Sequence, residues 1–175
     1  RCNLCTDFLE NRVGVIARSE DGRDTVDELF SRVRKRGQGR AYDCVIGVSG
    51  GVDSSYTCVL AAEHGLRALA VHLDNGWDSV TAVENIRNLV SKLGMDYESY
   101  VLRWKEFREV QVAFLRASVP EAETPSDASM QRAVHHFALK FGVPTILSGG
   151  NIASEGILPA CWHYNQRDTR YNHAI

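Results

Sequence analysis

The sequence predicts an α/β fold in which a parallel sheet is sandwiched by helices. Three observations carry that expectation. From Asp43 onward, short apolar segments alternate with amphipathic ones in repeated strand–helix order. The apolar segments are almost continuously hydrophobic, as strands buried on both faces are, with little of the alternation of a half-exposed antiparallel strand. The amphipathic segments stop at glycines, at Gly65, Gly94 and Gly142.

The elements follow in chain order. Val26, Leu29, Phe30 and Val33 recur at helical spacing, so 25–35 is expected to be a helix ending at Gly37. Arg32, Arg34, Lys35, Arg36 and Arg40 gather at that end, where positive charge complements the helix dipole. The first strand is 44–48, and a helix over 56–63 follows it. The second strand is 67–73, the next helix 79–93, and the third strand 97–102. A helix over 104–117, a polar loop with Pro120 and Pro125, a helix over 127–141 and a strand over 143–147 complete the alternation. Residues 1–23 are read as an N-terminal extension and 24–175 as one domain. In open sheets of this kind ligands bind beyond the carboxyl ends of the strands.

A chain of 175 residues, 44% hydrophobic and 24% charged, can bury a core without disulfides, which excludes a disordered or fibrous protein. Lys and Arg number 20 against 22 Asp and Glu, so no global basic field points to nucleic acid or to an anionic membrane. No apolar run reaches the roughly 18–20 residues of a membrane span and no signal peptide opens the chain, so a soluble, cytoplasmic protein is expected. The five cysteines are odd in number and scattered, which is not a disulfide framework. Cys44 and Cys58 lie in apolar patterns and read as buried small hydrophobes. Cys2 and Cys5 have the spacing of half a zinc site. The adjacent His135 and His136 point to different sides of a helix and do not make a metal site.

The decisive segment is Ser49-Gly50-Gly51-Val52-Asp53-Ser54-Ser55, between the first strand and its helix. Two glycines let the backbone turn tightly and expose successive N–H groups, and Ser54 or Asp53 is expected to cap a helix whose positive end faces the same point. The product is an anion cradle. It has neither the lysine of a Walker loop nor the Gly-x-Gly-x-x-Gly of a dinucleotide fold. Charge must therefore be neutralised by backbone dipoles, serine hydroxyls and a magnesium ion, with Asp53 as the hard oxygen ligand. Two further polar clusters stand at strand ends: His72-Leu73-Asp74-Asn75-Gly76-Trp77, and Ser148-Gly149-Gly150-Asn151 followed by Glu155.

The loop resembles the pyrophosphate loop of the N-type ATP pyrophosphatases, a superfamily with a Rossmann-like, adenine nucleotide alpha hydrolase-like fold. Its members split ATP between the α and β phosphates and adenylate a carbonyl oxygen. More particularly, the chain resembles the N-acetyl sugar amidotransferases of lipopolysaccharide and surface-sugar biosynthesis. That likeness rests on Ser49 to Ser54, Asp74-Asn75-Gly76-Trp77, Thr124-Pro125-Ser126-Asp127, Leu147-Ser148-Gly149-Gly150-Asn151 with Glu155-Gly156, and Cys161-Trp162-His163-Tyr164 leading to Asp168-Thr169-Arg170-Tyr171. The family has two N-terminal Cys pairs and continues past the last motif, so a first pair and a C-terminal portion are expected outside this chain.

The resemblance implies that the acetamido oxygen of a nucleotide-linked sugar attacks the α-phosphate of ATP, and that ammonia then displaces AMP to leave an acetamidino group. It assigns Ser49, Gly50, Gly51, Val52 and Ser54 to the phosphates, Asp53 to magnesium, and Asp74, Gly149 and Gly150 to the nucleotide. Asn151 and Glu155 orient substrate or metal, and Trp77, Trp162, Tyr164 and Arg170 meet the sugar or its carrier. Cys2 and Cys5 are the possible structural zinc ligands. No cysteine lies in a glutaminase-type Gly-x-Cys-x-Gly setting, so ammonia is expected from a separate glutaminase subunit. Two rivals remain: a transfer-RNA sulfurtransferase using Cys161, and a regulatory module that holds ATP without turnover.

Overall fold

The computed structural model describes residues 2, 5–6, 8–12, 23–119, 121–150 and 170. Apart from a π-helical turn at Phe8–Arg12, the described elements are α1 (Arg23–Gly37), β1 (Cys44–Gly47), α2 (Val52–Glu63), β2 (Ala68–Asp74), α3 (Val80–Leu93), β3 (Asp96–Val101), α4 (Trp104–Arg116), α5 (Thr124–Lys140) and β4 (Ile146–Leu147). The four strands form one parallel sheet in the order β3-β2-β1-β4. The chain builds outward from β1 through β2 to β3, then returns through α4 and α5 to lay β4 on the free side of β1. The order therefore reverses between β1 and β4, and a crevice opens at their carboxyl ends.

Alternation along β1 and β2 divides the core into two layers. Cys44, Ile46, Val48, Ala68 and Ala70 face α1, α2 and α3, where they meet Phe30, Val33, Cys58, Ala61 and Ile86. Val45, Leu69, Val71 and Leu73 face α5, where they meet Ala133, Val134, Phe137 and Ala138. Ile46, Leu69, Val45 and Val71 are at most 1% exposed, and each such side chain contributes about 1.5–3 kcal/mol by leaving water. β3 is an edge strand and has no buried residue. Leu29, expected in the α1 stripe, lies on the exposed side.

Three helix and strand boundaries differ from the sequence expectation by three residues or more. α2 starts at Val52 rather than Tyr56, because the glycine pair completes the turn from β1 before the helix begins. α5 starts at Thr124 rather than Asp127, with Pro125 in its first turn, where the missing N–H costs no helical bond. β4 pairs only at Ile146–Leu147, since the Val143 amide is spent on the Ala138 carbonyl at 2.7 Å, closing the end of α5. Cys44 and Cys58 are fully buried, as expected.

The end of the sheet away from the crevice is braced by Asp43 and Arg67. The Arg67 side chain donates to Asp43 Oδ1 at 2.6 Å and Oδ2 at 3.2 Å, and its backbone N–H donates to Oδ2 at 2.9 Å. The same guanidinium holds the carbonyls of Gly37 at 3.1 Å and Arg40 at 2.5 Å. Burial works against ionisation of Asp43, but the hydrogen bonds and charge of Arg67, with the charge of Arg34, outweigh it and hold the carboxyl below the usual range. Arg34 and Arg40 donate to the carbonyls of His64 and Gly142, so these members of the basic cluster tie helix ends together. Among the described residues no helix is long and apolar enough to cross a membrane.

Candidate functional site

The phosphate loop leaves β1 through Val48, which is buried and bonded by its amide to the Val71 carbonyl at 2.8 Å. Gly50 then turns the chain at φ +77°, and a Cβ there would stand 2.5 Å from the Ala82 carbonyl oxygen of α3, so no other residue fits. Gly51, in extended conformation, is the N-cap of α2 and gives no side-chain cap. Neither Ser54 nor Asp53 caps the helix as the sequence suggested: both lie inside its first turn. The serines instead knit the loop from within. Ser49 N–H donates to Ser54 Oγ at 3.3 Å, Gly51 N–H donates to Ser49 Oγ at 3.4 Å, and the two hydroxyl oxygens are 3.3 Å apart. Ser54 and Ser55 donate to the Gly51 carbonyl at 3.2 and 2.7 Å. Asn85 of α3 donates to the Gly50 carbonyl at 3.2 Å. With the loop carbonyls occupied, the first N–H groups of α2, which have no acceptor within the helix, make its positive end available to an anion. Asp53 stands exposed beside them.

The Gly149 turn closes against this loop. A Cβ on Gly149 would meet the Asp53 carbonyl carbon at 2.8 Å and the Ser54 nitrogen at 2.9 Å, so the tail of β4 lies on the first turn of α2. Gly150 N–H donates to Ser148 Oγ at 3.2 Å, which shapes this second small-residue turn. The two glycine pairs, about a hundred residues apart in sequence, form adjacent walls of the crevice at the switch in strand order.

The end of β2 supplies the third wall. Asp74 accepts from the Gly76 amide at 3.1 Å and Asn75 accepts from the Trp77 amide at 3.0 Å, two consecutive Asx turns. The Asn75 side chain also donates to Ser126 Oγ at 3.2 Å, joining this turn to the start of α5. Gly76, at φ +81°, passes so close to Trp104 that a Cβ would meet its ring at 2.9 Å. Trp77 and Trp104 pack edge to face at 5.4 Å between centroids and remain 63% and 46% exposed, an aromatic shelf at the mouth of the site. Beside it a cleft of about 450 Å³ runs between α3 and the β2–β3 edge, lined by His72, Asp74, Asp78, Arg87, Tyr97 and Ser99 among others.

The structure thus brings Ser49, Gly50, Gly51, Val52, Asp53 and Ser54 together with Gly149 and Gly150, and sets Asp74 and Trp77 at the neighbouring strand end. Asn151, Glu155, Cys161, Trp162 and Tyr164 lie outside the described residues. Arg170 is described as exposed. Sequence reasoning named His72 in a strand-end cluster without giving it a role, and missed Asp78, Asn85, Arg87 and Trp104. His72 carried a signal, since it precedes Asp74 by one strand period and so shares its face. The sulfurs of Cys2 and Cys5 are 3.5 Å apart, and the hydrogen bond from Cys2 raises the Cys5 thiol pKa. Among the described residues no group of three or more His, Cys, Asp or Glu is gathered to hold a metal ion, so the zinc expectation has two thiols and no third ligand there.

Residues 23–134 match the family model described as NAD synthase. The chain belongs to the NAD synthase family. Within the wider group of loop-bearing ATP pyrophosphatases, it is similar to the tRNA-specific 2-thiouridylase of Heliobacterium modesticaldum, 35% identical over 79 residues that cover 39% of this chain and 20% of that protein. It is also similar to the glutamine-hydrolysing GMP synthase of Pyrobaculum aerophilum, 35% identical over 93 residues that cover 51% of this chain and 18% of that protein. The match thus spans about a fifth of the length of these curated relatives. In fold, it superposes on the ammonia-dependent NAD synthetase of Campylobacter jejuni with a TM-score of 0.55 at 13% identity, over 74% of this chain and 57% of that one. The glutamine-dependent NAD+ synthetase of Acinetobacter baumannii, solved with ADP, gives 0.59 at 19% identity, over 75% of this chain and 25% of that one. The NAD synthase family domain is of the ATP pyrophosphatase type, and its parallel sheet sandwiched by helices is the fold expected from sequence.

Proposed function

We propose that this chain is the ATP-activating core of an amidotransferase that adenylates the N-acetyl carbonyl of a nucleotide-linked sugar and replaces AMP with ammonia. The observation that carries the reading is the lysine-free cradle in which the Gly50-Gly51 loop and the Gly149 turn abut. A site of this kind suits a group that must leave as pyrophosphate, because backbone dipoles stabilise its charge without a fixed cation. Magnesium fits the exposed Asp53 carboxylate beside that cradle and, when bound, supplies the remaining neutralisation.

An amide carbonyl is a poor electrophile and its oxygen a poor leaving group, and adenylation repairs both. The chain's own residues then have little proton transfer to perform. Ser49, Gly50, Gly51, Val52 and Ser54 hold the phosphates, while Asp74, Gly149 and Gly150 hold the nucleotide. Asn151 and Glu155 orient the reacting groups. Catalysis rests on alignment of the acetamido oxygen with the α-phosphate. The choice of an acetamido sugar is supported by the motif resemblance, which assigns Trp162, Tyr164 and Arg170 to the sugar or its carrier, and by the exposed Trp77–Trp104 shelf, whose ring faces suit the apolar face of a sugar. Ammonia comes from a separate glutaminase subunit in this reading; the GMP synthase relative is itself glutamine-hydrolysing.

Incubation with ATP, magnesium, ammonia and a UDP-linked acetamido sugar should yield AMP, pyrophosphate and an amidino sugar. ADP as product, or intact ATP, would refute it. Asp53→Ala should lower magnesium-dependent turnover about 100-fold or more without unfolding the chain. A second reading, transfer-RNA thiolation, is favoured by the 2-thiouridylase relatives. It requires that turnover depend on Cys161 and on added transfer RNA. Against it stands the basic cluster, where Arg34 and Arg40 are spent on backbone carbonyls.

A further inference from the structure

His72 sits between the two loops that the ATP reading requires to act together. Its side chain is only 7% exposed, at the end of β2. Nδ1 lies 3.1 Å from the Val48 carbonyl, the last backbone acceptor before the phosphate loop begins at Ser49. A carbonyl only accepts, so Nδ1 carries the proton and donates. Nε2 faces the other way, 3.3 Å from Asp78 Oδ2, in the loop that follows β2; a carboxylate also only accepts, so this second contact is made with a proton on Nε2 as well. Asp78 is next to Ser79, which caps α3 by accepting from the Ala82 amide at 3.1 Å. From α3, Asn85 reaches back to the Gly50 carbonyl at 3.2 Å. The carbonyls at 48 and 50 are thus both held by side chains from the β2–α3 unit, and the imidazole is the inner of the two ties.

We propose that His72 is a positioning residue that fixes the spacing between the phosphate loop and the loop after β2, so that a single ATP molecule can occupy both. The proposal rests on the ATP reading above. A ligand that spans two subsites gains from their being held at the right separation, whereas a ligand confined to one does not. Loss of the tie therefore weakens ATP selectively, and leaves pyrophosphate, which needs only the phosphate loop, and AMP, which needs only the nucleoside side, almost unaffected.

The experiment is calorimetric titration of the full chain with magnesium-ATP, pyrophosphate and AMP separately, for the wild type, His72→Phe and Asp78→Ala. His72→Phe removes both contacts while filling the space. Asp78→Ala cuts the outer contact from a surface loop, so it tests the tie even if the buried variant fails to fold. In each folded variant ATP affinity should fall about tenfold while pyrophosphate and AMP stay within about twofold. Equal weakening of ATP and pyrophosphate would mean that the ring merely supports the loop. Weakening of AMP would mean direct contact with the nucleotide, and unchanged ATP affinity would mean no role; each of these overturns the proposal. A wild-type chain that binds no magnesium-ATP would instead overturn the ATP reading itself.

Discussion

Replacing Gly149 with alanine tests whether the β4 tail is a wall of the phosphate site. The new Cβ would stand 2.8 Å from the Asp53 carbonyl carbon, 2.9 Å from its oxygen and 2.9 Å from the Ser54 nitrogen. All three are backbone atoms of the first turn of α2 and cannot rotate aside. Carbon contacts settle near 3.5 Å or more, so the tail must withdraw by about 0.7 Å. Overpacking of this size costs about 1–3 kcal/mol, offset by the roughly 0.4–1 kcal/mol that alanine gains through a less flexible unfolded chain. The expected net loss is about 1 kcal/mol, read as a lower urea midpoint with an unchanged slope. The effect on ligand should be larger, because a wall displaced by most of an ångström misaligns the phosphates: magnesium-ATP turnover should fall about 10- to 100-fold. Gly39→Ala is the control for lost stability without a clash, since Gly39 has a left-handed backbone, φ +76°, and a Cβ there meets nothing within 4 Å. It should lower stability by about 1 kcal/mol and leave ATP turnover intact. Native ATP turnover and an unchanged urea midpoint in Gly149→Ala would refute the wall.

Three further outcomes follow from the opposite end of the sheet and from the cysteines. Asp43→Ala should destabilise by about 1–3 kcal/mol, less than a fully buried pair would, because the Arg67 side chain is 51% exposed and water takes over part of its charge. Since the Asp43 pKa is lowered by folding, its contribution is present in full above the ordinary carboxylate range and fades as pH falls through the lower folded value. Urea midpoints measured from about pH 6 downward should therefore fall more steeply below about pH 4 in wild type than in Asp43→Asn. Burial, with the Asp43 carboxylate behind it, pushes the Cys44 thiol up to about 12, and burial pushes Cys58 up to about 11. A maleimide reagent should label the exposed Cys2 and Cys5 in the native chain and reach Cys44 and Cys58 only in denaturant, as peptide mass mapping would show.

Local pattern made most of the fold legible, and the failures have local causes. The α2 start was misplaced because Asp53 and Ser54 are good cap residues, whereas here Gly51 is the cap and the hydroxyls of Ser54 and Ser55 turn back onto its carbonyl. Pro125 reads as loop punctuation, yet proline is tolerated where a helix has no acceptor for its N–H anyway. The run Val143-Pro144-Thr145-Ile146-Leu147 is mostly apolar, but that pattern does not say that the Val143 amide is used to end a helix. The phosphate loop was visible because its chemistry is written in consecutive residues. The ties of His72 to Val48 and of Asn85 to Gly50 were not, because they join separate elements through backbone carbonyls, which every residue carries. The contact of Gly149 with Asp53 required knowing that β4 returns to pair with β1.

That return has a consequence for the order in which the molecule is made. β1 pairs with β2 through one intervening helix, but its other neighbour, β4, joins Val45 to Ile146 across about a hundred residues. Contacts of such long range form late, after the local strand–helix–strand units. During synthesis β1 is therefore an open sheet edge, and the phosphate loop lacks one wall, until β4 emerges and docks. β4 is only two residues long, so its docking is secured by few backbone bonds. A nucleotide held between the Gly50 and Gly149 turns would bind only the closed arrangement, and by mass action it would fasten β4 to the sheet.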